Sequence, residues 1–405
     1  MRVLLVNSLY PPHQVGGAEQ SVALLARALA RDGVEVHVAT LWRGTGEVSV
    51  VEEGVTVHRL PLDQMDWPWG QERRRPLRRA MWHMRDRANA VVAARLGRLI
   101  DRVAPDLVHG HVLTGFGGGL WKEVGARGLP LAQPLRDYAL ICSRSALFRK
   151  GRTCTKRCLD CRALTAPTRA ASRLVDAVAG NSDYTLAAHR AAGRFEGVEG
   201  RRLFNVVPVQ GAVLGKHRPR VASGPLRFGF LGRVEVEKGI DVLLDALPLI
   251  GREEWRLRIG GAGKPETVAM LRGVRRDPRI DWLGRVDAGA FFGSIDVMVV
   301  PSRWPEPLPR TLVEAAAHGC SIIAAEAGGI GEVAGVAGCT TMVAAGDAGA
   351  LAAAMRAAID GPEPWRSRSV SATALAPFSE AAVVAAHHDF YEAARRRAAQ
   401  RKAER

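Results

Sequence analysis

Short, apolar, β-branched runs alternate with helical patterns along nearly the whole chain, and the alternation runs twice. A strand that is apolar on both faces is satisfied inside a parallel sheet covered by helices on each side, so this rhythm restricts the chain to an α/β fold. In the first half the pattern predicts strands over 3–6, 35–40, 55–59, 107–109 and 177–180, and a further strand after Pro130. Helices are expected there over 18–31, 73–103 and 168–174. In the second half strands are expected over 226–231, 256–260, 281–283, 297–300 and 321–325, with helices over 239–250, 266–275, 310–318 and 349–359. Residues 210–225, polar and rich in Gly, Pro and basic side chains, read as a linker. The expected domains are therefore 1–209, carrying a cysteine-rich insertion at about 142–161, and 226–377, followed by a helix and basic tail over 378–405 free to pack back on the first domain.

In doubly wound sheets ligands bind beyond the carboxyl ends of the strands, so two such domains are expected to face each other across a cleft. Composition narrows the ligand. Lys and Arg number 57 against 41 Asp and Glu, a net +16, and only seven of the cations are Lys. Such a field favours an anionic partner such as a phosphorylated small molecule, a membrane surface or nucleic acid, although an Arg-rich proteome gives the same excess. Residues 1–6 lead straight into a strand without a signal-peptide pattern, and the longest charge-free apolar stretch, 333–346, is too short to span a bilayer. The expected location is cytoplasmic, at most peripheral at the cytoplasmic face of a membrane.

Three segments carry the chemistry. Pro11 to Glu19 follows the first strand, and Gly16 and Gly17 let backbone N–H groups approach an anion at a helix start. A plain strand-to-helix turn reads the same way. In Gly232-Arg233-Val234-Glu235-Val236-Glu237-Lys238-Gly239, two cations flank a turn that opens a helix, an arrangement suited to a phosphate. The alternative is surface pairing of those cations with Glu235 and Glu237. In Pro301 to Pro309 three alternate prolines stiffen a loop bearing Glu306, and Glu314 follows within an apolar helix face, where a charge needs a partner. Such carboxylates can accept from sugar or ribose hydroxyls; a surface glutamate is the bland reading.

Together, the Tyr10-Pro11-Pro12 and Gly16-Gly17-Ala18-Glu19 opening, Val108-His109-Gly110-His111, the Gly232–Gly239 turn, the Glu306/Glu314 pair in E-x7-E spacing and Ala327 to Glu332 resemble the GT-B glycosyltransferases of retaining family 4. The resemblance covers nearly the whole chain and implies two facing Rossmann-like domains and a hexosyltransferase-type activity on a nucleoside-diphosphate sugar, in glycan, cell-envelope or glycosylated-metabolite biosynthesis. It implies that Arg233 and Lys238 hold the donor diphosphate and that Glu314 binds the ribose. It places Glu306 near the transferred sugar, Leu308 among the donor contacts and Gly16 and Gly17 opposite the diphosphate. Pro307 and Pro309 remove two backbone donors from that set. His111 matches a histidine near the reacting sugar, while His109 is expected to face the core. No Asp-x-Asp pair occurs, so catalysis without a metal cofactor is implied, with retention by front-side attack in which a donor phosphate oxygen takes the acceptor's proton. A catalytically silent nucleotide-sugar-binding or membrane-associated assembly protein is the rival reading; in it Glu306 would be dispensable.

Cys142, Cys154, Cys158 and Cys161, spaced C-x11-C-x3-C-x2-C and interleaved with cations, suit a structural zinc site of four thiolates. An iron–sulfur cluster and free or redox-paired thiols are the alternatives. The neighbouring cations are expected to lower the thiol pKa values. Arg136-Asp137-Tyr138 resembles the family's His-Asp-Tyr segment with Arg in place of His, so the acceptor role of that histidine is not carried over. Cys320 and Cys339 read as core. Arg73, Arg74, Arg75, Arg78, Arg79, Arg85 and Arg87, beside several Trp and Met residues, suit an anionic leaflet or a lipid-linked or phosphorylated acceptor, or simply a solvated face. Nucleic acid is disfavoured, since no recognised binding module accompanies the charge.

Overall fold

The computed structural model describes residues 1–13, 17–62, 67, 69, 81–82, 85–86, 89–207, 224–251, 254–337, 339–366 and 372–404. Gly16, nearly all of the 210–225 linker and six of the seven clustered arginines (all but Arg85) lie outside them. By contacts the chain divides into two units. The first comprises 1–146, 155–206 and 380–405; the second comprises 147–154 and 207–379.

In chain order the strands of the first half are β1 Arg2–Val6, β2 Glu35–Trp42, β3 Val48–Glu52, β4 Val55–Pro61, β5 Leu107–Gly110 and β6 Leu131–Leu135, then the short β7 Phe148–Arg149 and β8 Arg152–Thr153, then β9 Ala177–Gly180 and β10 Glu199–Arg202. Eight of them form one sheet in the order β10-β9-β6-β5-β1-β2-β4-β3, parallel except at the β3–β4 edge. Alternate residues of β1 enter different cores: Val3 and Leu5 pack with Val36 and Val38, whereas Leu4 and Val6 pack with Ala39 and Leu41. Both faces are thus covered, which is why these strands read as continuous apolar runs rather than alternating ones. Each fully buried Leu or Val contributes about 1.5–3 kcal/mol.

The helix Gly17–Arg31 buries Val22, Leu25, Ala26 and Leu29, the i, i+3, i+4, i+7 stripe of an amphipathic helix, against one face. Helical residues are described at 81–82 and 85–86 and then over Ala90–Val103, where Asn89 caps the start by accepting from Val92 N at 3.2 Å. The C-terminal helix Glu380–Ala403 belongs to the first unit, where Val384, Phe390, Tyr391 and Ala394 join the core of Val3 and Leu5. Its ends are pinned there: Arg31 Nη2 reaches Glu380 at 2.5 Å and Arg401 reaches buried Asp176 at 3.0 Å.

In the second unit β11 Leu226–Leu231, β12 Trp255–Gly260, β13 Ile280–Gly284, β14 Val297–Val300, β15 Ser321–Ala325 and β16 Thr340–Val343 form a fully parallel sheet in the order β13-β12-β11-β14-β15-β16. Edge strands β3, β10 and β16 escape the sequence reading. They are short and partly exposed: β10 is Glu-Gly-Arg-Arg and β16 opens with two threonines, while β3 carries three valines, of which Val48 and Val51 are exposed.

Each sheet reverses its winding at a central strand, β1 between β2 and β5, and β11 between β12 and β14. At such a switch point two loops diverge from neighbouring carboxyl ends and leave a crevice between them.

Candidate active site

In the second unit the switch point is built by the loops after β11 and β14. A short turn, Val236–Lys238, leads through Gly239 into the helix Ile240–Ile250. Gly239 has φ 72°, and a Cβ there would lie 1.8 Å from Pro301 O, so only glycine allows the two loops to touch. Glu237 O accepts from Arg303 N at 3.0 Å and from Trp304 N at 3.2 Å, fixing the register of one loop on the other.

That register places Lys238 Nζ 2.5 Å from Glu306 Oε1. Glu306 is 4% exposed, and the same oxygen accepts from Ser302 Oγ at 2.8 Å. Lys238 Nζ also lies 5.0 Å from the Trp304 ring centroid. On the far side of Glu306 its backbone bridges to Gly328, and its carbonyl accepts from Gly329 N at 2.7 Å. A carboxylate this deeply buried requires its cation, and the cation in turn holds its position against a ring face.

Glu314 is buried in the helix Arg310–Ala317 and pairs with Arg310 Nε at 2.7 Å one turn earlier. Leu308 is buried, and Pro309 precedes the first helical turn. Arg233 is directed elsewhere: it pairs with Glu235 and, at 2.8 Å, with Glu237 within its own turn, and its side chain is 44% exposed. Of the two cations singled out in the sequence, the structure thus ties Lys238 to Glu306 and Arg233 to its neighbouring glutamates. Burial raises the Glu235 carboxyl, and Arg233 acts against that rise.

In the first unit Gly17 begins a helix after β1, and a side chain there would meet nothing within 4 Å. Packing does not demand this glycine. Asn7 and Ser8 tie the end of β1 to the segment after β5: Val112 N donates to Asn7 Oδ1 at 3.1 Å, and Ser8 Oγ donates to the Val112 carbonyl at 2.7 Å. His109 is fully buried, with Nδ1 2.8 Å from Tyr391 Oη. His111, 4% exposed, stacks on it at 4.0 Å, and neither of its ring nitrogens has a partner among the described residues. Burial holds both imidazoles well below their usual range, and the neighbouring histidines and Arg136 push the same way. His387, 5.7 Å from His109, falls to about 4, and Arg136 falls to about 10, each chiefly through burial. Asp137 rises to about 6 because it is buried, with Glu19 adding to the rise.

Cys142 and Cys161 are buried with sulfurs 3.8 Å apart, and Cys158, Asp160 and Cys161 offer ligand atoms within 4.8 Å of one another. Cys154 is not in that group; it closes the β7–β8 hairpin by donating its N–H to Leu147 O at 2.7 Å. The expected cationic lowering of the thiols does not hold for Cys158. Its hydrogen bond with Asp160 raises its pKa, and burial adds to the rise. Cys320 is buried and Cys339 partly so.

Sequence reasoning missed Ser302, Trp304, Arg310 and Tyr391. Three of these sit within four residues of a glutamate it singled out, and the i, i+4 rule could have found Arg310. Tyr391 stands 282 residues from His109 and left no local signal.

The profile of the family described as "Glycosyl transferase 4-like domain" matches residues 16–203, and that described as "Glycosyl transferases group 1" matches 225–360. The chain is 28% identical over 333 residues to an uncharacterized 42.6 kDa protein in the cps region of Klebsiella pneumoniae, covering 82% of this chain and 87% of that one. Its fold is similar to sucrose-phosphate synthase from Thermosynechococcus elongatus, with TM-score 0.72, 20% identity and coverage of 96% and 98%. It is also similar to Anabaena HepE, solved in complex with UDP-glucose, with TM-score 0.68, 19% identity and coverage of 96% and 99%. With the two profiles in order along the two units and the GT-B fold in both neighbours, the chain belongs to the group 1, family 4-like glycosyltransferases.

Proposed function

We propose that this glycosyltransferase moves a sugar from a nucleoside-diphosphate sugar to a hydroxyl of its acceptor, with retention at the anomeric carbon. The observation that carries the reading is the Lys238–Glu306 pair at the β11/β14 switch point, a cation and a buried carboxylate 2.5 Å apart where an α/β sheet receives its ligand. HepE, with the same fold, holds UDP-glucose. Lys238 and Arg233 stabilise the diphosphate as the anomeric C–O bond breaks, and the acceptor's proton passes to the departing phosphate oxygen as the new C–O bond forms. Glu306 fixes Lys238 and accepts from the sugar, Glu314 accepts from the ribose, and Leu308, between two prolines that lack an N–H, offers its backbone N–H to the donor. In the first unit His111, buried and neutral, has ring nitrogens without a partner among the described residues and can offer one to a hydroxyl.

A panel of UDP-, GDP- and ADP-sugars, followed by nucleoside-diphosphate release, identifies the donor. With it, Glu306→Gln should cut kcat by about tenfold or more, since a preorganised charge is lost. Donor binding without turnover of any donor in the panel, in the wild type and the variant alike, would favour the silent binding protein.

The acceptor is proposed to be phosphorylated or lipid-borne. Arg144, Arg149, Lys150, Arg152, Lys156 and Arg162 are all exposed, and Leu159 among them is 79% exposed. No helix among the described residues is long and apolar enough to cross a membrane.

A structural zinc is the second element of this reading. Thiolates at about 2.3 Å from a tetrahedral zinc stand about 3.8 Å apart, which matches the Cys142–Cys161 separation of 3.8 Å. Cys158 supplies a third thiolate and Asp160 the fourth position. Metal analysis of protein purified without chelator should return about one zinc per chain; a folded, metal-free preparation would remove the site.

A further inference from the structure

We propose that Arg303 is a positioning residue for glycosyl transfer, and that the β7–β8 hairpin holds it so that the loop carrying Glu306 stays in register with Lys238. The inference rests on the donor-site reading above. Four contacts meet at Arg303. Its Nη1 pairs with Asp241 in the first turn of the helix after Gly239, and its Nη2 donates to Gly151 O at 3.0 Å. Its carbonyl accepts from Thr153 Oγ1 at 3.2 Å, and its N–H donates to Glu237 O at 3.0 Å. Through one residue the Lys238 turn, the hairpin and the Glu306 loop are bound together.

The chemistry is specific to this side chain. A guanidinium can serve a carboxylate and a carbonyl at once from separate nitrogens, which a lysine's single ammonium does poorly. Gly151 has φ 75°, and a Cβ there would stand 3.2 Å from Arg303 Nη2, so a glycine suits the hairpin tip that approaches the guanidinium. Asp241 keeps its second oxygen buried and without a partner among the described residues, so its desolvation depends on the Arg303 pair. Two residues, Trp304 and Pro305, separate Arg303 from Glu306, and Pro305 stiffens them; Pro307 and Pro309 stiffen the remainder of the loop. A shift at Arg303 is therefore carried to Glu306 rather than absorbed. The hairpin comes from the cysteine-bearing segment, yet by contacts it belongs to the second unit. Holding the donor loop gives that insertion a role in transfer.

The test compares Arg303→Ala, Arg303→Lys, Thr153→Val and the Arg303→Ala/Thr153→Val double variant, using the donor the panel identifies. Nucleoside-diphosphate release gives kcat and donor KM, and hydrogen exchange reads the amides of Ser302, Arg303 and Trp304. Arg303→Ala should lower kcat about tenfold, as loss of alignment does, with donor KM within about threefold, and speed exchange at those amides. Arg303→Lys should recover part of kcat. Thr153→Val, a near-isosteric change at an exposed residue, should lower kcat about twofold, and the double variant should lose more than Arg303→Ala, since Thr153 holds the Arg303 carbonyl, which the Ala variant keeps. Unchanged kcat in Arg303→Ala overturns the proposal, whether or not exchange quickens. If Arg303→Ala does not fold, Thr153→Val decides: wild-type kcat and exchange overturn it. If no donor turns over, the donor-site reading itself has failed. Exchange then decides whether the hairpin holds the loop, and unchanged rates in both single variants overturn that too.

Discussion

The two units wind their sheets alike and furnish the switch points differently. Beyond β11 and β14 stand ion pairs: Lys238 with Glu306, Arg303 with Asp241, and Arg310 with Glu314. At the carboxyl end of β5 stand buried imidazoles, His109 within the strand and His111 just after it, backed by His387 and Tyr391 of the C-terminal helix and held neutral by their burial. Cations already fixed by buried or half-buried carboxylates, yet themselves partly exposed, can meet a diphosphate at little reorganisation. A neutral imidazole can meet a hydroxyl without bringing a charge that must itself be solvated. Under the proposed reading the second unit is made for the anionic donor, and the first offers polar but uncharged groups to what the sugar is joined to.

The comparison breaks most readily at Lys238. Lys238→Ala should lower turnover by about a hundredfold, within the range found for loss of one preorganised donor to a developing charge. It should also lower the melting temperature, because buried Glu306 then keeps only Ser302 as a side-chain donor, so turnover is read where circular dichroism shows the variant folded. Arg233→Ala should cost less, about tenfold, since Arg233 is half-exposed and already paired with two glutamates. Equal losses in the two variants would contradict the division of labour that the ion pairs describe.

His111→Leu sharpens the other side. The change keeps apolar volume and removes both ring nitrogens, so kcat should fall about tenfold with donor KM nearly unchanged. A rise in KM alone would move His111 to the donor. A matched His109→Leu should instead act on stability, because it strands the Tyr391 hydroxyl in the core.

How much of this was readable in the sequence follows from the range of the forces involved. The inner strands, both switch-point loops and the residues Lys238, Glu306 and Glu314 were legible, because β-branched runs, glycine turns and alternate prolines are local signals. The partner of Lys238 was not. The sequence offers Lys238 and Arg233 either a shared phosphate or surface pairing with Glu235 and Glu237; Arg233 makes that pairing, while the fold brings Glu306 across 68 residues to meet Lys238. The same holds for Arg303. Its neighbours Asp241 and Gly151 lie 62 and 152 residues away, and no spacing rule connects them. The Cys142–Cys161 contact was legible as a cluster, but the attachment of the hairpin between them to the second unit was not.

The smallest expected effect concerns acid. His109, His111 and His387 all titrate in the folded chain below their ordinary 6.5, His387 near 4. As pH falls below 6.5 the unfolded chain binds protons that the folded one refuses, so the first unit loses stability from there down to about pH 4. Asp137 and Asp176 oppose this. Both are raised to about 6 by burial, so their folded carboxyls take up protons between about 6 and 3.8, while the unfolded ones remain ionised. Arg136 and Tyr391, the other titratable groups against the cluster, keep their protonation throughout that window. His58 and His189 of the same unit, also lowered to about 4 by burial, add to the loss, so five imidazoles against two carboxyls leave a net of three groups, each limited to about 1.4 kcal/mol per pH unit. Native-state exchange of the β5 amides, corrected for intrinsic rate, should therefore quicken between pH 7 and 5, and His387→Leu should flatten the dependence by about a third, since one of the net three groups is removed. The corresponding amides of β14, whose switch point carries no histidine in this cluster, should show no such slope; a matching slope in β14 would erase the contrast between the units.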